Sequence, residues 1–278
     1  MFNFPAYATI WGRLGRFVHI AISLAVLLYL ILPVLVVMPL SFSSQPYFTY
    51  PLPGVSLRWY EDFLNSPEWM DALKNTLITG VSSTLIATIL GVMASLGLTS
   101  PRLKGKALIT GLLVSPMIVP LIITAVGVYF AFSPLGLTNS LAGLILAHAA
   151  LGVPFVVVTV TATLAGFNET LSRAGRSLGA SPFRVFVQVK LPIIAPGVIS
   201  GALFAFATSF DEIVVALFLT GPDEKTIPRQ MWSGIREQLS PTILAVATIL
   251  VVISTLLLVT LELLRRRTER LRGALAAV

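Results

Sequence analysis

Long apolar stretches separated by short polar segments recur six times along the 278-residue chain. Each stretch has about the 20 mostly apolar residues that a helix needs to cross a bilayer. Prolines within several of them are compatible with this, because neighbouring helices can satisfy the carbonyls that a proline leaves free. The pattern predicts an all-α integral membrane protein, with one transmembrane domain over 1–278 and six spans: 19–40, 73–98, 107–132, 139–164, 193–219 and 241–264.

The composition agrees with a membrane protein and excludes several other classes. Hydrophobic residues make up 56% of the chain and charged residues only 11%, whereas a soluble domain has about 25% charged residues. The sequence has no cysteine, and its two histidines, His19 and His148, stand in no metal-binding spacing. We therefore expect no metal site, and few groups from which an enzyme active site could be built.

Positive charge lies mainly on one side of the predicted membrane. Fourteen of the 19 lysines and arginines fall before the first span, after the second and fourth spans, or in the C-terminal tail. By the positive-inside rule this predicts that both termini are cytoplasmic, and it favours membrane orientation over nucleic-acid binding as the reason for the +7 charge. The outer segments contain aromatic residues that we interpret as interfacial anchors, Trp59, Tyr60, Trp69 and Trp232.

The segment 165–192, between the fourth and fifth predicted spans, is polar and has strong local signals. Asn168 is a good helix N-cap, and Gly179 is suited to a left-handed stop. Ser181 is a second N-cap, with Pro182 at the first helical position. The segment is predicted to form two short cytoplasmic helices joined at Gly179.

The second of these helices is predicted to end near Lys190, because Pro192 cannot continue it. Phe183, Phe186, Val187 and Lys190 recur along it at helical spacing and form a mostly apolar stripe. Two interpretations of this stripe remain open. It packs beneath the protein's own spans, or it docks onto a soluble partner.

The same segment resembles the cytoplasmic loop of permease subunits of binding-protein-dependent ABC importers. That loop has the pattern E-A-A, three residues, G, nine residues, I-x-L-P. Ala174, Gly179, Leu191 and Pro192 match it and Val189 is conservative, whereas Arg173 and Gly175 depart from it. The resemblance implies an ATPase-coupling loop that includes Arg173, Ala174, Gly175, Gly179, Ala180, Ser181, Pro182, Val189, Leu191 and Pro192. An arginine at 173 reverses the charge of the usual glutamate.

The resemblance extends over nearly the whole chain, through stretches such as "NTLITGVSSTLIATILGVMASLGL" and "HAALGVPFVVVTVTATLAGF". These are similar to the spermidine/putrescine permease branch, although relatives that carry amino acids, iron or phosphonates share much of this text. The resemblance implies a type I ABC importer permease in a bacterial inner membrane. It also implies two cytoplasmic ATPase subunits, a second permease subunit (a related chain rather than a second copy) and an external binding protein.

The energy source must come from outside this chain. The sequence lacks the G-x-x-x-x-G-K-[ST] phosphate-binding loop. If ATP drives transport, another chain must bind it. The resemblance implies that the ATPase subunits bind ATP and Mg²⁺, and that this chain is a transport subunit without a cofactor rather than an enzyme. A secondary transporter driven by an ion gradient is the other class. It is less favoured because the halves show no convincing inverted repeat.

Asp211 and Glu212 interrupt the apolar sequence of the fifth predicted span. Ionisable residues within a span usually face a cavity or a polar partner. Together with Phe206 and Phe210, they suit a path for a cationic, partly aliphatic amine, through charge and cation–π contacts. The alternative is that the two acids lie at the outer interface or pair with Arg229 or Arg236.

Overall fold

Helices dominate the computed structural model of the chain, which describes residues 10–237 and 239–276. Within these residues there is no β-strand, only an isolated bridge between Ser43 and Val55. The prediction of an all-α fold is therefore confirmed. The helices are α1 (Ile10–Leu40), α2 (Arg58–Asn65), α3 (Pro67–Thr99), α4 (Lys106–Val114), α5 (Leu121–Phe132), α6 (Leu141–Ala165), α7 (Glu169–Ser177), α8 (Pro182–Val185), α9 (Leu191–Phe210), α10 (Val214–Leu219), α11 (Ile227–Glu237) and α12 (Thr242–Ala276).

Among the described residues, five helical segments are long and apolar enough to cross a membrane, and a bent pair brings the number to six if it forms one span. Helices α1, α3, α6 and α12 include all or nearly all of the first, second, fourth and sixth predicted spans. Each extends beyond the prediction at one end or both, because polar residues at a helix end continue the backbone hydrogen bonding that hydropathy does not detect.

The third predicted span, 107–132, is not one continuous helix but a bent pair of helices. Helix α4 leads into a 3₁₀ turn at Ser115–Met117, and α5 begins after Pro120 at an angle of 100° to it. Pro116 and Pro120 lie at this break. Proline removes a backbone donor and clashes with the preceding turn, which explains why the helix bends here.

The fifth predicted span, 193–219, also differs from the structure. Helix α9 ends at Phe210, and α10 is a separate short helix that starts at Val214. Asp211 and Glu212 therefore lie at a break between two helices and not within one. A hydropathy profile does not detect this break, because the sequence on both sides of it is apolar.

The first of two compact units comprises the described residues 10–63 and 239–249. Its side-chain contacts hold the segment after α1: the Trp59 indole donates to the Ser43 carbonyl at 2.6 Å, and the Tyr60 and Ser41 hydroxyls lie 2.7 Å apart. Trp59, like Trp69 of the second unit, is buried. The prediction that these two tryptophans anchor the protein at a membrane interface was therefore wrong.

The second unit comprises residues 64–237 and 250–276 and is built around the packed helices α3, α6 and α9. A buried apolar cluster joins these three helices, with Ala87, Val92, Val156, Val160, Leu164, Ile194 and Ala205. A second buried cluster joins α5, α6 and α10, with Ala125, Leu144, Ala147, Leu151, Val215, Ala216 and Leu219.

Glycines let these helices approach closely, as small residues do in membrane proteins. A Cβ atom placed on Gly91 of α3 would lie 2.6 Å from Val156 Cβ of α6. One placed on Gly201 of α9 would lie 2.8 Å from Val156 Cα and 2.5 Å from the Thr159 hydroxyl. Since Val156 Cα is a backbone atom, no side-chain rotation relieves that second overlap.

Gly201→Ala is therefore expected to force α6 and α9 apart and to lower the stability of the protein by about 2 kcal/mol. The loss should appear as a lower midpoint of thermal unfolding in detergent. Gly97→Ala in α3 is the matched control, because a Cβ there meets no atom within 4 Å. A Gly201→Ala variant as stable as Gly97→Ala would contradict the packing described here.

Candidate functional site

The polar segment after α6 folds as a helical hairpin, residues 169–190, which we call the loop hairpin. Asn168 caps α7 by accepting a hydrogen bond from the Thr170 amide at 2.9 Å, and Ser181 caps α8 by accepting from the Arg184 amide at 3.3 Å. Gly179 has a left-handed φ of +84° between the two helices. The predicted caps and the predicted glycine turn are confirmed.

The two arms of the loop hairpin pack against each other at Gly175 and Val185. Val185 is buried, and a Cβ on Gly175 would lie 3.2 Å from its Cγ2. The glycine that departs from the family pattern thus leaves room for a valine on the opposite arm. The Ala180 amide also donates to the Gly175 carbonyl at 3.1 Å, which closes the turn.

The predicted end of the second helix near Lys190 was wrong. The helix continues through a π-helical turn at Phe186–Lys190 directly into α9, so that Pro182–Phe210 forms one helical segment. The wider turn pairs the Leu191 amide with the Phe186 carbonyl. A π-turn changes the local hydrogen-bond register, and Pro192 then lies in the first turn of α9, where its missing N–H is tolerated.

Lys190 ties the two ends of the loop hairpin together. Its ammonium donates to the Glu169 carboxylate at 2.7 Å and lies 4.9 Å from the ring centroid of Phe167. The hydrogen bond from Lys190 is the main cause that lowers the pKa of Glu169 below its ordinary value. Glu169 therefore stays ionised at neutral pH as part of this internal ion pair.

The apolar stripe along the second arm divides between the two interpretations left open above. Phe186 packs against the α3–α6–α9 core cluster, as does Leu191 just after it. Phe183 is 75% exposed and Val187 is also exposed. The inner part of the stripe thus packs beneath the protein's own helices, and the outer part is left accessible.

The other predicted coupling residues lie along the surface of the same segment. Those that the structure leaves exposed are Arg173, Ala174, Gly179, Ser181, Pro182 and Pro192. Those that are partly buried are Gly175, Ala180, Val189 and Leu191. The structure therefore brings all ten into one hairpin and its junction with α9, where the accessible residues face away from the core.

A second polar site lies at the break between α9 and α10. Glu212 is buried, and its two carboxylate oxygens accept hydrogen bonds from the Val215 and Ala216 amides at 2.7 and 3.1 Å. These amides open α10, so the carboxylate serves as its N-terminal cap. Asp211 ends α9 and is exposed.

His148 of α6 lies beside this carboxylate, fully buried. Its Nε2 is 3.2 Å from Glu212 Oε2, within ion-pair distance but not aligned for a hydrogen bond. Its Nδ1 is 2.8 Å from the Ser209 hydroxyl, which also accepts a hydrogen bond from Ser83 at 3.1 Å. The contacts join α3, α6, α9 and the α10 cap in one buried network: Ser83, His148, Ser209 and Glu212.

The sequence did not place His148 in this network. The one sequence signal was a histidine within an apolar span, which does not identify its partner. The alternative pairing of the acids with Arg229 does not occur for Glu212. Arg229 instead donates to the backbone carbonyls of Thr220 and Gly221.

A cavity of about 270 Å³ opens beside Asp211. Its walls are mostly apolar, and Asp211 is the charged residue among them: Phe210, Asp211, Ile213, Pro228, Met231, Trp232, Ile235, Leu250 and Ser254. Phe206 lies behind the wall, with its ring stacked on Phe210 at a centroid distance of 5.5 Å. Three of the four predicted path residues thus meet at the cavity or directly behind it, while Glu212 points into the buried network.

Long apolar helices, with a capped polar hairpin between two of them, define a multi-pass membrane protein. Its described residues contain no group of three or more His, Cys, Asp or Glu side chains that could hold a metal ion. The family model for the "binding-protein-dependent transport system inner membrane component" matches residues 87–270. The chain belongs to this family.

Curated relatives extend the match over nearly the whole chain. A spermidine/putrescine transport system permease protein, PotC of Shigella flexneri, is 31% identical over 260 residues, which covers 94% of this chain and 98% of the relative. The putrescine permease PotI of Escherichia coli is 30% identical, over 90% and 89% of the two chains. A molybdate/tungstate permease of Pyrococcus abyssi, WtpB, is 26% identical over 72% and 75%.

Solved structures share the fold. A bacterial ABC transporter that imports alginate matches with a TM-score of 0.72 at 17% identity, over 94% of this chain and 99% of its own. The methionine transporter MetNI matches with a TM-score of 0.55 at 18% identity, over 75% and 98%.

The chain is therefore a permease subunit of an ABC importer, similar to the spermidine/putrescine permeases, and a multi-pass protein of the inner membrane. The resemblance stated from the loop motif is confirmed. Its relatives are permease subunits and not enzymes.

Proposed function

We propose that this permease imports small aliphatic polyamines such as spermidine and putrescine, driven by ATP. Two separate ATPase subunits bind ATP and Mg²⁺, a related second permease completes the membrane pore, and an external binding protein delivers the cargo. Both termini and the loop hairpin lie in the cytoplasm. The relatives named for spermidine and putrescine transport, similar over at least 90% of this chain, support the cargo class.

The proposed coupling passes through the loop hairpin. Its rigid turn docks on an ATPase subunit, and Phe186 and Leu191 pack against the core of α3, α6 and α9. Because the second arm continues into α9 as one helical segment, displacement of the hairpin moves α9 directly. Closure of the ATPase pair on ATP would thereby shift the helices between inward-open and outward-open states. The size of this shift is set by how much more tightly ATP binds the importer in one state than in the other.

The observation that carries a cationic cargo is the position of Asp211 in an otherwise apolar, aromatic-lined cavity. The carboxylate attracts an ammonium group, and the rings of Phe210 and Trp232 offer cation–π and apolar contacts to an alkyl amine. Phe206 supports Phe210 by stacking. Glu212 acts indirectly, since its carboxylate caps α10 and so fixes the break that presents Asp211.

The same observation disfavours other cargo. An oxyanion, as the molybdate/tungstate relative carries, would meet an unfavourable carboxylate in this cavity. Amino acid and iron cargo remain the alternatives within the family, and phosphonate, which is also an oxyanion, is disfavoured on the same ground. An ion-gradient transporter is the alternative outside ATP-driven import.

Reconstitution tests the proposal. The chain is placed in liposomes with its second permease and ATPase subunits, and uptake of labelled spermidine, putrescine, molybdate and glutamate is followed with the cognate binding protein. We expect uptake of the two amines alone, and only with ATP on the ATPase side. Uptake driven by a proton or sodium gradient without ATP, or uptake of molybdate instead of amines, would overturn it.

Asp211→Asn is expected to lower the uptake rate of spermidine about ten-fold at saturating loaded binding protein, because it removes a charge-assisted contact with an ammonium group of the cargo. The control is Glu237→Gln, an exposed acid at the end of α11 that does not line the cavity. Equal rates for Asp211→Asn and the unmodified protein would remove Asp211 from the cargo path.

A further inference from the structure

The turn of the loop hairpin exposes apolar and cationic side chains together. Leu178 is 89% exposed and Phe183 is 75% exposed, on the two sides of Gly179. Arg173, Arg176 and Arg184 are also exposed and surround them in sequence on both arms. We call these five residues the arginine knob.

The charge of the arginine knob is not neutralised within the hairpin. Glu169 is the one acidic residue of 169–190, and its carboxylate is bonded to Lys190 at 2.7 Å. Arg176 adds a smaller attraction to the same carboxylate. Once the Glu169–Lys190 pair cancels, three arginine charges remain beside two exposed apolar side chains.

The hairpin holds this surface rigidly. The two helix caps, at Asn168 and Ser181, and the left-handed Gly179 between them define the turn on which Leu178 and Phe183 are exposed. A preformed protrusion of this kind suits a matching recess, because little order is lost on binding.

We propose that the ATPase subunit receives the arginine knob in an apolar recess edged by carboxylates, with Arg173 making an ion pair there. This rests on the proposed function, in which the loop hairpin docks on an ATPase. Position 173 carries a positive charge where the family pattern has a glutamate. The matching surface of the partner is therefore acidic. Charge complementarity then selects this ATPase over subunits built for a glutamate.

A protein recess fits the knob better than a membrane surface does. A helix that lies on a bilayer needs an extended apolar face with basic residues on the other. Helix α7 has only nine residues, and the exposed apolar pair is concentrated at the turn. Binding to anionic lipid headgroups is the competing outcome of the test.

The experiment measures the affinity of the ATPase subunit for the permease pair in nanodiscs of phosphatidylcholine. Arg173→Glu is expected to weaken this affinity about ten-fold, and Arg173→Lys by less than about three-fold, because lysine keeps the charge but not the bidentate geometry. The affinity of the unmodified protein should fall with rising salt. Arg102→Glu, in the turn between α3 and α4, is the matched control outside the hairpin and is expected to bind as the unmodified protein.

Two further arms separate the possible failures. If Arg173→Glu binds normally while Leu178→Asp loses binding, the hairpin still docks but the inference of an acidic recess is overturned. If neither variant changes binding, docking through the hairpin itself is wrong, and the proposed coupling fails with it. If Arg173→Glu has an effect only when the nanodiscs contain phosphatidylglycerol, the arginines bind lipid and the proposal is overturned. A charge swap tests the ion pair directly. If an acid of the ATPase recess is replaced by arginine, this ATPase should bind the Arg173→Glu permease with restored affinity.

Discussion

Replacing Glu212 by alanine is expected to destabilise the permease by about 3 to 5 kcal/mol, and so to lower its thermal unfolding midpoint in detergent by roughly 10 °C. The carboxylate is buried and accepts from two amides that open α10. Without it, both amides lose their acceptor, and His148 Nε2 loses the carboxylate that lies beside it. Buried polar groups left without partners are among the largest causes of destabilisation by a single substitution.

Its neighbour provides the control. Asp211 is an adjacent carboxylate of similar charge but is exposed, so Asp211→Asn should leave the unfolding midpoint nearly unchanged even though it slows uptake. The double variant His148→Ala, Glu212→Ala should lose less than the two single variants together, because each removes the other's unsatisfied partner. Equal midpoints for Glu212→Ala and Asp211→Asn, or strictly additive losses, would contradict the buried network.

Replacing Gly179 by valine is expected to abolish the coupling of ATP hydrolysis to uptake in the reconstituted importer. No atom lies within 4 Å of a Cβ placed there, so the effect arises from the backbone alone. A φ of +84° costs an ordinary residue about 1–2 kcal/mol, and a β-branched residue more. The valine variant would relieve this strain by opening the turn, which displaces the α8 arm and with it Phe186 at the core.

Two variants isolate the backbone effect. Gly179→Asn should retain most of the coupling, since asparagine tolerates the left-handed region. Gly166→Ala, at the end of α6, has an ordinary φ of −90° and no close neighbour, and should behave as the unmodified protein. The ratio of amine imported to ATP hydrolysed is the measurement. An unchanged ratio for Gly179→Val would mean that the turn does not transmit force.

Much of the loop hairpin could be predicted from sequence because its signals are local. Asn168, Gly179 and Ser181 act on backbone groups within three residues of themselves, and their side-chain chemistry alone favours caps and turns. The motif with Leu191 and Pro192 then identified the family before any contact was known. The π-turn that carries the helix through Pro192 was missed, since a proline ordinarily marks a boundary and only packing against the core stabilises the wider turn.

The site near Asp211 was foreseen only in part. The apolar sequence predicted one span that continues to residue 219. The two acids within that span suggested a shared role in the cargo path. The buried environment of Glu212, unlike that of Asp211, includes His148, which lies 64 residues before Glu212 in the sequence. No local pattern records which of two adjacent carboxylates points toward a distant histidine.

Hydropathy, charge distribution and capping residues by themselves determined that this is a helical membrane protein with a polar hairpin between its fourth and fifth predicted spans. These properties depend on each segment's own transfer free energy and backbone preferences, so neighbours in sequence suffice to define them. Only the tertiary structure decided where the third and fifth spans break, which acid caps α10 and which faces the cavity, and which residues of the hairpin stay exposed. Those features depend on contacts between helices far apart in the chain, where burial and the pairing of polar groups select one arrangement among several that the sequence allows.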